Sequence, residues 1–168
     1  MYNTYYKNTD IDGTIVLYEL DQEYYCLRAV CITSSIILNT SFINEQSNFF
    51  LPEGSFSENL EELSVSTKEE FLNFWNKSTS QYLNAWNELK TKFQINQNVD
   101  SEIVCFYPQG VIVKFNEIFF GLVNYKDCEF ILGSTNMYPQ QKINLYVQNF
   151  DDDNLWINFS VNTQHQLI

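Results

Sequence analysis

Glu102-Ile-Val-Cys-Phe-Tyr107, Val111-Ile-Val-Lys-Phe115, Ile118-Phe-Phe-Gly-Leu-Val123, Lys142-Ile-Asn-Leu-Tyr-Val147 and Leu155-Trp-Ile-Asn-Phe-Ser-Val161 are five short runs dominated by β-branched and aromatic residues. Side chains of this kind fill a pleated, half-buried surface, so each run reads as a strand. Pro108-Gln-Gly110 is a turn or bulge after the first, and Asp151-Asp-Asp-Asn154 is the turn before the fifth. A long irregular stretch through Pro139 separates the third from the fourth. Five short strands with their one long connection at that place predict a small closed barrel.

Upstream, Thr14-Ile-Val-Leu-Tyr-Glu-Leu20 and Tyr24-Tyr-Cys-Leu-Arg-Ala-Val-Cys-Ile32 flank the polar turn Asp21-Gln22-Glu23 and read as a hairpin. Arg28, the one charge inside its strand, is either an exposed strand residue or a buried partner of Glu19 or Asp21. A third strand is expected near Ser35-Ile-Ile-Leu38, and Asn39 to Gly54 as an irregular loop. Thr67-Lys-Glu-Glu70 has the spacing of a capping box, in which the threonine oxygen accepts from a free backbone N–H and Glu70 reaches back. Phe71, Phe74, Trp75, Tyr82, Ala85, Trp86, Leu89 and Phe93 then recur at steps of three and four, the mark of one helical face. Ser78-Thr-Ser80 leaves open whether this is one helix or two. The whole predicts an α+β protein: residues 1–94 form an N-terminal β-hairpin or small sheet with a helical region, and residues 95–168 a five-stranded barrel domain.

The 168 residues include 21 Asp+Glu against 9 Lys+Arg, a formal net charge of −12. Residues 1–90 hold 13 acids and 5 bases, and residues 91–168 hold 8 and 4, so both halves are acidic. Such a chain is repelled by phosphate backbones unless its charges segregate, and the bases are scattered. No long uncharged apolar stretch suits a membrane span, and Met1–Lys7 lacks the apolar core of a secretory leader. Cys26, Cys31, Cys105 and Cys128 form no C-x-x-C pair and sit in apolar surroundings, as reduced core thiols of a cytoplasmic protein do.

The stretch from Ile95 to Val161 resembles the S-one RNA-binding domain, an OB-fold module. The resemblance rests on Asn98-Val99, Glu102-Ile103-Val104, Gly110-Val-Ile-Val113, Gly121-Leu-Val123, Lys142-Ile-Asn-Leu-Tyr-Val147, Phe150-Asp151 and Ile157-Asn-Phe-Ser160, which follow the family's order and spacing. It implies an OB-like barrel. The functional positions depart from the family: Ile112 stands where an aromatic is usual, Asn124 where a histidine is usual, and Trp156 and Val161 where basic residues often occur. Exposed aromatics and cations supply stacking and phosphate contact in such domains. The scaffold is therefore expected without much of the RNA-binding chemistry, with Tyr107, Phe115 and Tyr125 as replacement stacking groups.

The hairpin Leu17-Tyr-Glu-Leu-Asp-Gln-Glu-Tyr-Tyr-Cys-Leu-Arg-Ala-Val30 resembles a pattern in small bacterial immunity-type proteins, where a Glu-Leu-Asp turn precedes an aromatic residue and a Leu/Val-Arg strand. That resemblance implies a cytosolic, acidic protein that neutralises a toxin by binding it.

Catalytic constellations are missing from the sequence. The single histidine, His165, sits near the C-terminus, and no phosphate-binding glycine motif occurs among five glycines. Asp10-Ile-Asp-Gly13 opens like a calcium loop without the later ligands. The sequence thus predicts a non-enzyme with no cofactor and no metal. The expected partner is a basic protein, most concretely a toxin and possible nuclease whose active surface is occluded. A single-stranded RNA or DNA binder is the alternative. The candidate partner-binding residues are Asp151, Asp152 and Asp153, the densest charge run, with Tyr107, Phe115 and Tyr125.

Overall fold

The computed structural model describes residues 3–43 and 49–161. The chain divides into two compact units, Met1–Tyr82 and Leu83–Ile168. His165 lies outside the described residues.

The first unit is a five-stranded sheet with a helix on one face. Its strands are β1 (Thr4–Thr9), β2 (Ile15–Leu20), β3 (Cys26–Ile32), β4 (Ile37–Asn39) and β5 (Ser64–Val65), in the order β4-β3-β2-β1-β5. The β2–β3 hairpin falls where the sequence places it. β1 is an addition: its TYYKNT run carries too little apolar alternation to announce a strand, and it is ordered by pairing along the whole length of β2. α1 (Lys68–Thr79) lays Phe71 and Trp75 onto the cross-strand pair Leu17 and Val30, making the core. Thr67 caps α1 by accepting from the Glu70 N–H at 3.0 Å, a contact worth about 1 kcal/mol. The other half of the expected box is replaced: the Glu70 carboxylate accepts instead from Ser66 Oγ at 2.8 Å and Lys7 Nζ at 2.9 Å.

Arg28 resolves as a buried partner of Glu19, directly opposite it on β2. Glu19 also accepts from Asn3 Nδ2 and Tyr5 Oη, and the guanidinium lies over Trp75 and Phe71, 4.9 and 5.3 Å from the ring centroids. Burial pushes the Glu19 carboxyl up, and the Arg28, Asn3 and Tyr5 contacts more than offset it, holding it below the ordinary range.

The helical stripe continues as a 3-10 turn (Ser80–Tyr82) and α2 (Leu83–Lys92), so Ser78-Thr-Ser80 does precede a change of winding. α2 belongs to the second unit with β6 (Asn98–Tyr107), β7 (Gly110–Lys114), β8 (Phe120–Val123), α3 (Tyr125–Leu132), β9 (Lys142–Asp151) and β10 (Trp156–Ser160). The strands close into a barrel in the order β10-β8-β7-β6-β9, with β8 and β10 parallel and every other pair antiparallel. This is the five-stranded OB-like connectivity. Along β6, Val99, Ser101 and Ile103 point inward until a bulge shifts the register between Ile103 and Cys105. Gly121 is required by close packing: a Cβ there would lie 2.3 Å from the Phe159 ring and 2.6 Å from the Ile157 carbonyl oxygen.

α3 occupies part of the stretch expected to be irregular. Asn124 caps it, accepting from the Lys126 N–H at 2.9 Å, and Gly133 ends it at φ +77°. All four cysteines are free thiols, Cys26 and Cys128 being buried.

Candidate protein-interaction surface

The acidic turn is built by β9 and β10. Asp151 fixes its shape: Oδ1 accepts from the Asp153 and Asn154 N–H groups, each at 3.0 Å, and Oδ2 from Asn154 Nδ2 at 2.8 Å. Leu155 closes the turn in a left-handed conformation, φ 53°, with its side chain buried. Such strain in a non-glycine residue persists only where packing holds it. Asp152 is the anchor. Its Oδ1 accepts from Trp86 Nε1 and Lys90 Nζ of α2, both at 2.6 Å. The Lys90 and Trp86 hydrogen bonds hold its carboxyl below the ordinary range. Trp86 is buried, 5.4 Å from Phe119 and 6.0 Å from Phe150 between ring centroids. The turn is therefore a preset, negatively charged projection with α2 fastened to it.

The three aromatic candidates do not share a platform. Tyr107 is buried, its ring 6.2 Å from Trp156, because it ends β6 on the inward side of the barrel. It is not placed to stack on a ligand. Phe115 is half-buried between Phe93 and Phe159, at 5.5 and 5.4 Å. Tyr125 is exposed at the start of α3, 6.1 Å from Phe106. Nucleic-acid-binding barrels of this topology use the face of the second and third strands. Here those are β7 and β8, whose Val111, Ile112, Val113 and Val123 are buried. The four departures from the S-one pattern have internal roles: Ile112 and Trp156 are core, Val161 is buried, and Asn124 caps α3.

The exposed apolar groups lie elsewhere. On α3 and the turn after it, Phe130 is 85% exposed, and Ile131, Tyr138 and Tyr125 are each more than two-fifths exposed. Cys128 is the only α3 residue fully buried, so the helix uses one narrow stripe for the barrel and leaves aromatic surface outward. Asp127 and Glu129 stand in the same helix with Lys126. Sequence reading named Tyr125 of this surface and missed Phe130, Ile131 and Tyr138, because α3 itself was not read. The Asn124 cap and Gly133 stop were its available signals. A further exposed group, Ile11, sits at the tip of the β1–β2 hairpin, where Gly13 N–H meets the Asp10 carbonyl at 3.0 Å and Thr14 N–H meets Asp12 Oδ1 at 2.9 Å. The segment that opens like a calcium loop is this hairpin turn.

Among the described residues, no group of three or more His, Cys, Asp or Glu side chains is placed to hold a metal ion, and no helix is long and apolar enough to cross a membrane. No model of a known protein family matches the sequence, and no curated protein matches it either.

Proposed function

We propose that this chain is a non-catalytic protein-binding protein of the cytoplasm whose partner is basic, most concretely an immunity protein that covers the active surface of a bacterial toxin. The observation that carries the reading is outward-facing aromatic and aliphatic surface on an acidic chain, with Phe130, 85% exposed, its most exposed aromatic among the described residues. Among the described residues four of the nine cationic side chains pair with carboxylates, Arg28 with Glu19 away from solvent, and no cluster of cations stands ready for a phosphate backbone. Long-range attraction to a cationic partner, such as the cleft of a nuclease, raises the association rate and falls with salt. Desolvated aromatic anchors then supply most of the binding energy.

The second reading is a single-stranded nucleic-acid binder. It draws on the OB-like barrel connectivity, with Lys114 and Lys142 flanking Glu102 on neighbouring strands. Gel-shift titration with oligonucleotides at 50 and 200 mM salt separates the two. The protein-binding reading expects no shift at either salt, whereas micromolar binding that weakens steeply with salt supports the nucleic-acid reading.

A further inference from the structure

In the second unit, α2 and the loop joining β7 to β8 line an open groove of about 450 Å³. Ala85, Leu89 and Phe93 form one wall, and Ile118 and Phe119 the other. Both walls are fastened from behind. α2 is held by the Trp86–Asp152 hydrogen bond and by the Trp86 ring against Phe119. The loop is pinned by Asn116, whose Oδ1 accepts from the Ile118 and Phe119 N–H groups at 2.8 and 2.6 Å. Ile118 stands on the lip, 46% exposed. A groove already shaped in the free protein loses little conformational freedom on binding.

The charges around it have one sign in excess. Glu88 rises from α2 and Glu117 from the loop, and the acidic turn lies behind Trp86. Of the side chains lining the groove, Glu88 and Glu117 are acidic and Lys92 is basic, a net of −1, and Asp152 of the acidic turn is bonded to Trp86 of the same helix. Lys90 is engaged with Asp152, and Lys92 with Glu88 at 2.7 Å in an exposed pair one helical turn long. Exposed pairs of this kind contribute little and exchange readily, whereas an incoming arginine can grip a carboxylate with two parallel hydrogen bonds.

We infer that this groove is where the basic partner docks, receiving an apolar side chain flanked by arginine or lysine, with the cations meeting Glu88 and Glu117. The inference rests on the protein-binding reading and adds to it a surface and a partner chemistry.

The test uses the full chain and a defined probe, an amphipathic peptide of alternating arginine and leucine clusters, with a glutamate-for-arginine analogue as control. Amide shifts are followed by two-dimensional NMR during titration at low salt. The expected result is perturbation centred on Ala85, Leu89 and Ile118, with the glutamate analogue at least tenfold weaker. Glu117→Lys should weaken the arginine peptide at least tenfold, and Ala85→Arg should abolish the response. Glu117 is exposed, so its variant keeps the inference testable if Ala85→Arg fails to fold. Equal binding of the two peptides, no response at millimolar peptide, or self-association of the chain through these residues would each overturn the inference. Perturbation centred on Phe130 instead overturns the groove while leaving the protein-binding reading intact. Failure of that reading has a different signature, the absence of any stoichiometric protein partner.

Discussion

The indole N–H of Trp86 donates to Oδ1 of Asp152 at 2.6 Å across 66 residues of sequence, and Lys90 Nζ reaches the same oxygen at 2.6 Å. One carboxylate thus fastens α2 to the β9–β10 turn. One of the three aspartates named as candidate partner contacts is already engaged inside its own unit.

Asp152→Ala leaves a buried indole N–H without its acceptor, a loss of about 1–3 kcal/mol. Asp152→Asn keeps an acceptor and should cost less. Urea unfolding followed by tryptophan fluorescence orders them wild type, Asn, Ala. Because the carboxyl is held low in the fold, this stabilisation is present at neutral pH and fades as pH falls below 3.8.

Glu19 and Arg28 are a buried pair, and breaking one side strands the other. Arg28→Met should cost about 3–5 kcal/mol, since Asn3 and Tyr5 alone cannot balance the Glu19 charge. The double change Glu19→Leu with Arg28→Met should recover most of that loss. With its folded-state carboxyl depressed, Glu19 contributes stability above pH 4.5 that disappears as pH falls. The double variant should lose less stability than the wild type on acidification, by thermal melts at pH 7 and pH 3.

Tyr5 and Tyr18 provide an alkaline counterpart. Burial, with the Glu19 hydrogen bond for Tyr5 and nearby Cys26 and Asp10 for Tyr18, pushes each hydroxyl up to about 12. A raised phenol favours the fold below pH 10 and loses that advantage as pH climbs toward 12, because the unfolded chain ionises first. Absorbance titration at the tyrosinate band should show a late-ionising fraction in the native protein that vanishes in denaturant, and Tyr5→Phe and Tyr18→Phe should each shrink it.

Gly121 tests the closure of the barrel. Gly121→Ala forces a methyl into the Phe159 ring where β8 meets β10, so at least the about 1–3 kcal/mol of an overpacked core should be lost. Gly54→Ala, with nothing within 4 Å, is the control and should change little. Equal melting temperatures for the two variants would mean that the β8–β10 seam is looser than described.

The barrel strands were legible because each is a β-branched and aromatic run bounded by turn residues. α3 was not: Tyr125, Phe130 and Ile131 face outward while Cys128 alone is fully buried, so its apolar residues trace no core-facing stripe. Helical periodicity located Phe71, Trp75, Trp86 and Leu89 as buried, yet Phe71 and Trp75 serve the first unit and Trp86 and Leu89 the second, a division that spacing cannot express. The candidate surface was legible as the charge of Asp151–Asp153 and as Tyr125, which is exposed. Strand alternation does not say which face is inside a barrel, so Tyr107 read as available although it is core. The Trp86–Asp152 bond depends on tertiary folding and leaves no local mark. Lys7 likewise takes Glu70 from its expected capping role through a contact 63 residues distant.

The most direct test of the central claim is recovery of the native partner. The tagged chain is used to capture proteins from its source cells with and without nuclease treatment, and the products are quantified by mass spectrometry and nucleic-acid staining. The account predicts one basic protein in near-equal molar amount, retained after nuclease treatment and progressively released as salt is raised. Recovery of RNA or DNA, with the accompanying proteins lost on nuclease treatment, would contradict it.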